Sequence, residues 1–373
     1  MPRVALADVA AVRWLPAAPY HSSVLVNSAL SGADTAVLAA DLTKTYVGGI
    51  EAVRGIDLKV RKGEVFGFLG PNGAGKTTAV RMLTTLLPIT SGVAEVAGHD
   101  VSRDPGAVRT AIGVALQEAG LDPLQTGREV LELQCGLFGV SNPKKRAEAL
   151  LETVGLTEAG DRRTKTYSGG MKRRLDLATA LAHQPEVLFL DEPTTGLDPA
   201  SRAQIWSEVR RINAEGATVF LTTQYLEEAD QLCDRLAIID HGMIISEGTP
   251  EELKSALGDD VVTVGLVAED IERAAAAFAG DPNFSHVSVE ETGLSLSVGN
   301  GAGAVARVVR ALDSAGVDPQ SITVSRPTLD DVFLQATGRR LEGSDRAAGT
   351  AGDQPPDGGG EGSESGSTAG GAE

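Results

Sequence analysis

Apolar runs of strand length alternate with helical spacing over most of this chain. Strands are predicted at Ala36–Leu42, Gly55–Val60, Val65–Leu69, Val93–Val96, Ala111–Leu116, Glu186–Leu190, Thr218–Thr222, Leu236–Ile239 and Met243–Ser246. Helices are predicted at Val80–Leu87, Arg128–Phe138, Asn142–Val154 with Ser141 as its cap, Pro199–Ala214, Leu226–Cys233 and Pro250–Leu257. This alternation is typical of an α/β fold, into which a helical insert enters at about 118–175.

The pattern changes after Gly258 and predicts a second, smaller unit. Its predicted elements, in order, are a strand Val261–Val267, a helix Ile271–Phe278, a hairpin through Val287 and Val298 that turns at Thr292-Gly293, a helix Val305–Leu312, a strand Ser321–Ser325 and a last helix Leu329–Gln335. The order βαββαβ resembles a ferredoxin-like α+β domain.

Composition limits the classes of protein that the chain can represent. With 373 residues and 42% hydrophobic content, the chain can form two or three domains with a real core. The net charge of −18 disfavours sequence-independent binding to nucleic acid. Two cysteines, Cys135 and Cys233, provide neither a disulfide framework nor zinc spacing. We find no run of 18 apolar residues and no signal-peptide pattern, so we expect no membrane span.

Four segments follow from these shifts in pattern. We expect a flexible extension at 1–34, a main α/β domain at 35–257, an accessory α+β domain at 258–341 and a Gly/Ser/acidic tail at 342–373. The tail holds six acids and one arginine and has no large apolar residue, so it cannot bury enough surface to fold.

A glycine-rich loop follows the strand Val65–Leu69 and precedes a predicted helix. It fits the pattern G-x-x-x-x-G-K-[ST] with Gly70, Pro71, Asn72, Gly73, Ala74, Gly75, Lys76, Thr77 and Thr78. Glycines let backbone N–H groups surround phosphate oxygens, and the helix N-terminus adds positive charge. We predict that Lys76 reaches the β- and γ-phosphates of a nucleotide and that the Thr77 hydroxyl binds Mg²⁺. The alternative is a chance glycine loop.

Two acids end the apolar strand that includes Val187–Leu190. A carboxylate in this position, Asp191, emerges beside a phosphate-binding loop and helps to hold Mg²⁺. Glu192, one residue further, is predicted to act on the water that attacks the γ-phosphate, as general base or as positioner. Taken alone, acids at a strand end are more often solvated caps.

The segment Tyr167–Leu175, which reads YSGGMKRRL, resembles the signature loop of an ATP-binding cassette (ABC) ATPase. The resemblance implies a P-loop NTPase core with a helical subdomain, and it implies that two chains pair head to tail. In such a pair, Ser168, Gly169 and Gly170 would close over the ATP held by the partner. The alternative is a serine N-cap on an ordinary helix. The basic run Lys172, Arg173 and Arg174 is interpreted as a solvated or partner-facing edge.

Other residues match the same family in order along the chain. The resemblance implies that Tyr46 stacks on adenine, that Gln117 contacts Mg²⁺ or the attacking water, and that Asp198 crosses the dimer interface. Each residue also has a plainer interpretation, as a strand-end aromatic, an exposed polar group or a helix cap. Gln224 departs from the family because most members have a histidine at this position. A glutamine can donate a hydrogen bond but carries no proton near neutral pH.

The departures themselves indicate a subfamily. The segments SGGMKRRLDLA and TTQYLEEADQL, and the closing motif Thr328–Leu334, are similar to those of daunorubicin/doxorubicin-type drug-resistance exporters. The resemblance covers roughly residues 36–341. It implies ATP and Mg²⁺ as ligands, a homodimer of ATPase chains, a separate transmembrane permease subunit and a location on the cytoplasmic face of the membrane.

Three alternatives stay open at this stage. A lipid, polysaccharide or peptide exporter would have nearly the same ATPase. A cassette protein outside transport usually has coiled coils, zinc cysteines or two cassettes per chain, and none of these features is seen in the sequence. A regulatory subunit that only binds ATP is suggested by Gln224, but the complete Lys76 loop and the acids Asp191 and Glu192 speak against it.

Overall fold

The structure is a computed structural model, which describes residues 34–117, 120–258, 260–278, 281–284, 286–290, 293–299, 301–337 and 341. Its strands are β1 (Thr35–Thr45), β2 (Glu51–Arg61), β3 (Val65–Leu69), β4 (Ser91–Val96), β5 (His99–Asp100), β6 (Ile112–Ala115), β7 (Val187–Asp191), β8 (Thr218–Thr223), β9 (Arg235–Asp240), β10 (Met243–Gly248), β11 (Asp260–Gly265), β12 (His286–Glu290), β13 (Gly293–Val298) and β14 (Ser321–Ser325). Its helices are α1 (Lys76–Leu83), α2 (Pro105–Ala111), α3 (Gly127–Leu137), α4 (Pro143–Thr153), α5 (Gly169–Ala180), α6 (Pro199–Ala214), α7 (Leu226–Leu232), α8 (Pro250–Ser255), α9 (Ile271–Phe278), α10 (Gly301–Ser314) and α11 (Leu329–Thr337). The predicted N-terminal extension, apart from residue 34, and the acidic tail lie outside the described residues.

A six-stranded sheet in the order β10-β9-β3-β8-β7-β6 forms the centre of the main domain. Its strands are parallel except for β10, which pairs antiparallel with β9. Both faces are covered, because alternate residues of β3 and β8 enter two different apolar clusters. This explains why these strands appear in the sequence as continuous apolar runs without polar alternation. The predicted α/β class is therefore confirmed.

A second sheet, antiparallel and in the order β2-β1-β4-β5, lies over one face of the central sheet. Its inward residues join the cluster that contains Phe66, Phe68, Phe189 and Phe220. The Phe220 ring lies 5.7, 5.8 and 5.4 Å from the rings of Phe66, Phe68 and Phe189, measured between centroids. This aromatic group holds β3, β7 and β8 in register, and those three strands carry the loops of the site described below.

The other face of the central sheet is covered by helices, with α5 against β6, α6 against β8, and α7 against β3 and β8. Helices α3 and α4 of the predicted insert pack against each other and against α5. Helix α4 begins after Asn142, whose side chain accepts a hydrogen bond from the N–H of Lys145 at 3.2 Å. The predicted cap, Ser141, was therefore wrong by one residue. The predicted helix through Leu87 was also too long, because α1 ends at Leu83 and Leu86 is exposed. The short helix α2 was not predicted, and it takes Ala111 from the predicted strand.

The C-terminal unit has the predicted order βαββαβ. Its sheet runs β12-β13-β11-β14, and neighbouring strands are antiparallel. Phe278 of α9 and Val308 and Leu312 of α10 pack in one cluster with the buried strand residues Val262 and Leu296. The ferredoxin-like assignment of this unit stays a prediction.

The last helix, α11, does not belong to that cluster. Val332 and Phe333 are fully buried in the core of the main domain, together with Leu232 of α7 and Leu253 of α8. The chain therefore returns to the main domain after β14. The predicted domain boundary at residue 258 assigns α11 to the accessory domain instead. None of the helices in the described part of the chain is long and apolar enough to cross a membrane.

The aromatic group around Phe220 provides a test of the fold. We expect Phe220→Ala to lower the free energy of unfolding by about 3–5 kcal/mol, because a fully buried ring is lost and a cavity is left between the two sheets. Denaturant unfolding of the purified chain measures this change. Leu124→Ala, at a residue that is 65% exposed, is the control and should shift the free energy by less than about 0.5 kcal/mol. Equal effects of the two substitutions would contradict the packing described here.

Candidate functional site

The loop Gly70–Gly75 connects β3 to α1, as predicted. Gly75 has φ +106°, and a Cβ built on it would lie 2.4 Å from the carbonyl oxygen of Ala52. A Cβ on Gly70 would lie 2.2 Å from the carbonyl oxygen of Ile239. Only glycine fits at these two positions, so the loop is held in its shape by close backbone contacts. Of its other members, Asn72 and Gly73 are exposed and Ala74 is buried.

Lys76 is the first residue of α1, and its side chain is almost fully buried. Its Nζ donates to the carbonyl oxygens of Gly70 at 2.7 Å and Pro71 at 3.1 Å, and it lies 3.2 Å from Oε1 of Glu192. Burial lowers the pKa of the Lys76 ammonium, and the Glu192 carboxylate acts in the opposite direction. Two of the predicted residues are therefore brought into direct contact.

Asp191 ends β7 with a side chain that is 1% exposed. Its Oδ1 accepts from the hydroxyls of Thr77 at 3.2 Å and Thr222 at 2.6 Å. Its Oδ2 is buried with no hydrogen-bond partner in the described part of the chain. A buried carboxylate oxygen left free beside a threonine hydroxyl suits a hard cation that prefers oxygen ligands. These residues therefore fit Mg²⁺.

Glu192 has φ +49°, which is uncommon for a residue other than glycine. Its N–H donates to the carbonyl oxygen of Thr222 at 3.1 Å and to the hydroxyl of the same residue at 3.0 Å. Its Oε2 accepts from Nε2 of Gln117 at 3.3 Å and from the hydroxyl of Thr195 at 3.3 Å. The strained backbone turns this carboxylate toward Lys76 and Gln117. Gln117, Glu192 and Lys76 thus form one cluster.

Tyr46 lies close to the same loop. It follows β1, is 37% exposed, and its hydroxyl is 3.3 Å from the hydroxyl of Thr78. Gln224 is half-buried directly after β8, whose last residue, Thr223, accepts a hydrogen bond from the N–H of Gly70 at 3.2 Å. Gln224 therefore directly follows a residue that contacts the loop, but no hydrogen bond of its side chain is found among the described residues.

The predicted signature residues and Asp198 are not part of this cluster. Ser168 and Gly169 are exposed at the start of α5, and the Ser168 hydroxyl accepts from the N–H of Met171 at 3.2 Å. Gly170 is buried, and a Cβ on it would lie 2.8 Å from the hydroxyl of Ser201. Asp198 is an exposed cap of α6 that accepts from Ser201, which lowers its pKa. Within the described residues, no hydrogen bond or ion pair joins these residues to the Lys76 loop.

The structure also corrects the interpretation of the basic run at the start of α5. Lys172 is exposed as predicted, but Arg173 is 9% exposed and donates to backbone carbonyls near Glu192. Arg174 is half-buried and donates to the carbonyl oxygen of Val154 at 2.9 Å. Asp176, which forms an ion pair with Arg173 at 3.2 Å, is buried as well. Three adjacent basic residues therefore have three different environments.

A second group that sequence reasoning missed surrounds Glu228. Its side chain is fully buried, and its Oε1 accepts from the hydroxyl of Thr194 at 2.8 Å and from Nε1 of Trp206 at 2.9 Å. Burial raises the pKa of this carboxyl, and the hydrogen bonds oppose that shift. The group ties α7 to the loop that follows Glu192. A glutamate within an apolar helix face was the available signal, since Leu226, Ala229 and Leu232 surround it in sequence.

Profiles of known families match both parts of the chain. The ABC transporter family matches residues 53–195, which contain the Lys76 loop, Asp191 and Glu192. A family described as the C-terminal domain of ATP-binding protein DrrA1-3-like matches residues 248–337. The chain is 48% identical over 308 residues to the daunorubicin resistance ATP-binding protein DrrA3 of Streptomyces coeruleorubidus, covering 82% of this chain and 97% of that protein. It is 39% identical over 311 residues to the linearmycin resistance ATP-binding protein LnrL of Bacillus subtilis, covering 82% of this chain and 99% of that protein.

Solved structures resemble the main domain. The fold matches cbiO1 of Clostridium perfringens, part of the ABC transporter complex cbiONQ, with a TM-score of 0.55 at 28% identity, over 59% of this chain and 90% of that chain. It also matches the ATP-binding cassette MJ0796, in a dimeric post-hydrolysis state bound to ADP and Pi. The TM-score is 0.54 at 26% identity, over 57% of this chain and 98% of that chain.

The buried ion pair next to the site predicts a dependence of stability on pH. Burial raises the pKa of Asp176 to about 6, although Arg173 opposes the shift. Because this value lies above that of the unfolded chain, the contribution of Asp176 to stability is present at about pH 4 and is lost as the pH rises through about 6. We therefore expect Asp176→Asn to gain up to about 2 kcal/mol relative to the wild type between pH 4.5 and 7.5.

Denaturant unfolding at several pH values measures this difference. Glu152→Gln removes an exposed carboxylate from α4 and serves as the control for a general effect of charge. If the difference between Asp176→Asn and the wild type is the same at every pH, Asp176 does not titrate in this range.

Proposed function

The chain belongs to the ABC transporter family of ATP-binding proteins, and on this premise we propose that it is the ATPase subunit of a membrane exporter of drug-like natural products. Members of this family hydrolyse ATP, and this chain is an ATPase of that kind. The observation that supports hydrolysis most directly is the cluster of Lys76, Gln117 and Glu192 beside Asp191. Export of amphipathic compounds is supported by relatives that resemble both domains of the chain and are named for daunorubicin and linearmycin resistance.

In the proposed mechanism, the backbone N–H groups of the loop Gly70–Gly75 and the start of α1 bind the phosphates of ATP. Lys76 supplies a buried positive charge for the β- and γ-phosphates, and Tyr46 offers an aromatic ring near Thr78 for the adenine. Mg²⁺, held by Thr77 and Asp191 with Gln117 nearby, would neutralise phosphate charge as the reaction proceeds. The buried position of Lys76 excludes water from its ammonium and strengthens its interaction with phosphate.

Glu192 is proposed to accept the proton of the attacking water. Its carboxylate is 7% exposed and is oriented by Gln117, Thr195 and the strained backbone at φ +49°. A fixed carboxylate close to a phosphate loop can position a water in line with the γ-phosphate. Gln224 would add a hydrogen-bond donor at the end of β8, without the charge that a histidine acquires.

A second copy of the chain is proposed to complete the site. Ser168, Gly169 and Asp198 are exposed and lie outside the Lys76 cluster, so they are available to a partner. Head-to-tail pairing would bring the start of α5, with Gly170, against the nucleotide of the other chain, where the helix N-terminus favours anions. Transport further requires a separate transmembrane permease, which would hold this chain on the cytoplasmic face of the membrane. The acidic chain has no proposed role with nucleic acid.

Replacement of Glu192 tests the proposed base. We expect Glu192→Gln to lower the kcat of ATP hydrolysis by roughly 10²–10⁴-fold, because the amide cannot accept the proton. Its affinity for ATP should stay within about threefold of the wild type, since the phosphate-binding loop is unchanged, and ATP should then hold the dimer closed. Steady-state hydrolysis, equilibrium binding of a fluorescent ATP analogue and size-exclusion chromatography with ATP measure the three effects.

Lys76→Ala is the matched control for this experiment. It removes the charge that binds phosphate, so it should weaken ATP binding and fail to give the ATP-dependent dimer. Wild-type turnover of Glu192→Gln would transfer the role of base to another group, with Gln117 and Gln224 the residues to replace next.

Dependence on a membrane partner tests the exporter proposal. We expect the chain, co-expressed with the hydrophobic protein encoded beside it, to purify from membranes as a complex. Its ATPase rate should rise with an added anthracycline or a similar amphipathic drug. The Glu192→Gln complex provides the background rate. A chain that hydrolyses ATP but binds no membrane protein would keep the ATPase assignment and reject the exporter.

A further inference from the structure

Arg173 is a buried arginine whose guanidinium group forms four hydrogen bonds next to the site. Its Nε donates to the carbonyl oxygen of Pro193 at 2.9 Å, and one terminal nitrogen donates to that of Asp191 at 2.8 Å. The other terminal nitrogen donates to the carbonyl oxygen of Leu116 and to Oδ2 of Asp176, the latter at 3.2 Å. The side chain is about 10% exposed, so these bonds are shielded from water.

The three carbonyl groups that Arg173 contacts flank the residues of the cluster. Asp191 and Pro193 lie on either side of Glu192, and Leu116 directly precedes Gln117. The side chains of Glu192 and Gln117 meet at 3.3 Å, between Oε2 and Nε2. One guanidinium group thus bridges the backbones of two segments whose side chains meet, and no hydrogen bond joins it to either of those side chains in the described part of the chain.

We propose that Arg173 is a positioning residue for ATP hydrolysis, which holds the loops of Gln117 and Glu192 together through their backbone carbonyls. The inference rests on the proposed role of Glu192 in attack on the γ-phosphate. It extends that role to a residue on α5, the helix that begins with the signature residues. A shift of α5 would move both loops, because Ser168 and Arg173 lie within two turns of one rigid helix.

An arginine suits this position because of its shape. The guanidinium is a planar fork with five donors, and here three nitrogens are directed at carbonyls of three different residues. A lysine has one nitrogen on a flexible chain and cannot reach all three groups at once. Arg173→Lys therefore keeps the positive charge beside Asp176 and Asp191 but leaves buried carbonyls without donors and the loops less fixed.

The test separates positioning from folding and from ATP binding. We expect Arg173→Lys to lower kcat by roughly 10–100-fold, since a displacement near 1 Å of catalytic groups has effects of that size. The KM for ATP and the affinity for a fluorescent ATP analogue should stay within about threefold, because Arg173 contacts none of the residues Gly70–Thr78. Arg174→Lys is the matched control. Its arginine lies next along the helix and donates to Val154 and Gly155 instead, so kcat should stay near the wild-type value.

A double-mutant cycle identifies the group through which Arg173 acts. If Arg173 positions Glu192, then adding Arg173→Lys to Glu192→Gln should lower single-turnover hydrolysis by less than about threefold, because the group to be positioned is already inactive. A structural role would instead give the same loss in both backgrounds.

Three results would overturn the proposal: a wild-type kcat for Arg173→Lys, equal losses in the two backgrounds, or loss of ATP binding together with a lowered melting temperature. The last result would make Arg173 a residue of the core. Failure of the underlying function is recognised separately, because Glu192→Gln alone would then hydrolyse ATP at the wild-type rate.

Discussion

The organisation of the site depends on three charges that are buried together. Lys76, Asp191 and Glu192 are all less than 8% exposed, so water screens them poorly. Burial of isolated charges is costly, and the cost is offset only where every charge has partners. Here Lys76 pairs with Glu192 and with the carbonyls of the loop, while hydroxyls hold one oxygen of Asp191. Two carboxylates against one ammonium leave an excess of negative charge, which favours the binding of a cation.

The fold provides these charges with fixed positions. The carboxyl ends of β3, β7 and β8 meet at one edge of a parallel sheet, and each strand delivers one part of the site there. The aromatic cluster below, centred on Phe220, keeps the strands in register. Thr222 of β8 links the parts, because its hydroxyl donates to Asp191 and its backbone oxygen accepts from Glu192.

The parts that were predictable from sequence are those in which local geometry leaves few choices. The loop before Lys76 requires glycine at positions where any Cβ would collide with a backbone oxygen, so its spacing identifies it. The acids Asp191 and Glu192 come directly after four consecutive apolar residues, Val187–Leu190. Because that apolar run predicts a buried strand, the two acids are predicted at its end. The predicted fold class is confirmed by the central parallel sheet, and the family indicated by YSGGMKRRL is confirmed by the comparisons. The functional roles of the individual residues stay predictions.

The parts that were not predictable depend on packing between distant segments. Lys172, Arg173 and Arg174 look alike in sequence, and only the seating of α5 against the ends of β6 and β7 buries the second of them. The apolar neighbours of Glu228 in sequence point to burial, but its hydrogen-bond partners Trp206 and Thr194 follow only from the fold. In each case the deciding partner lies more than 15 residues away in sequence, beyond the reach of periodicity and motifs.

Helix α11 is a further example of packing between segments that are distant in sequence. Its Val332 and Phe333 bury Leu232 of α7 and Leu253 of α8, so the C-terminal unit contributes part of the main core. Helix α7 begins two residues after Gln224 and carries Glu228, which in turn holds the loop that follows Glu192. The C-terminal segment is therefore connected to the site by packed, buried side chains at every step. A chain without α11 would expose the apolar surfaces of α7 and α8 that Val332 and Phe333 now cover.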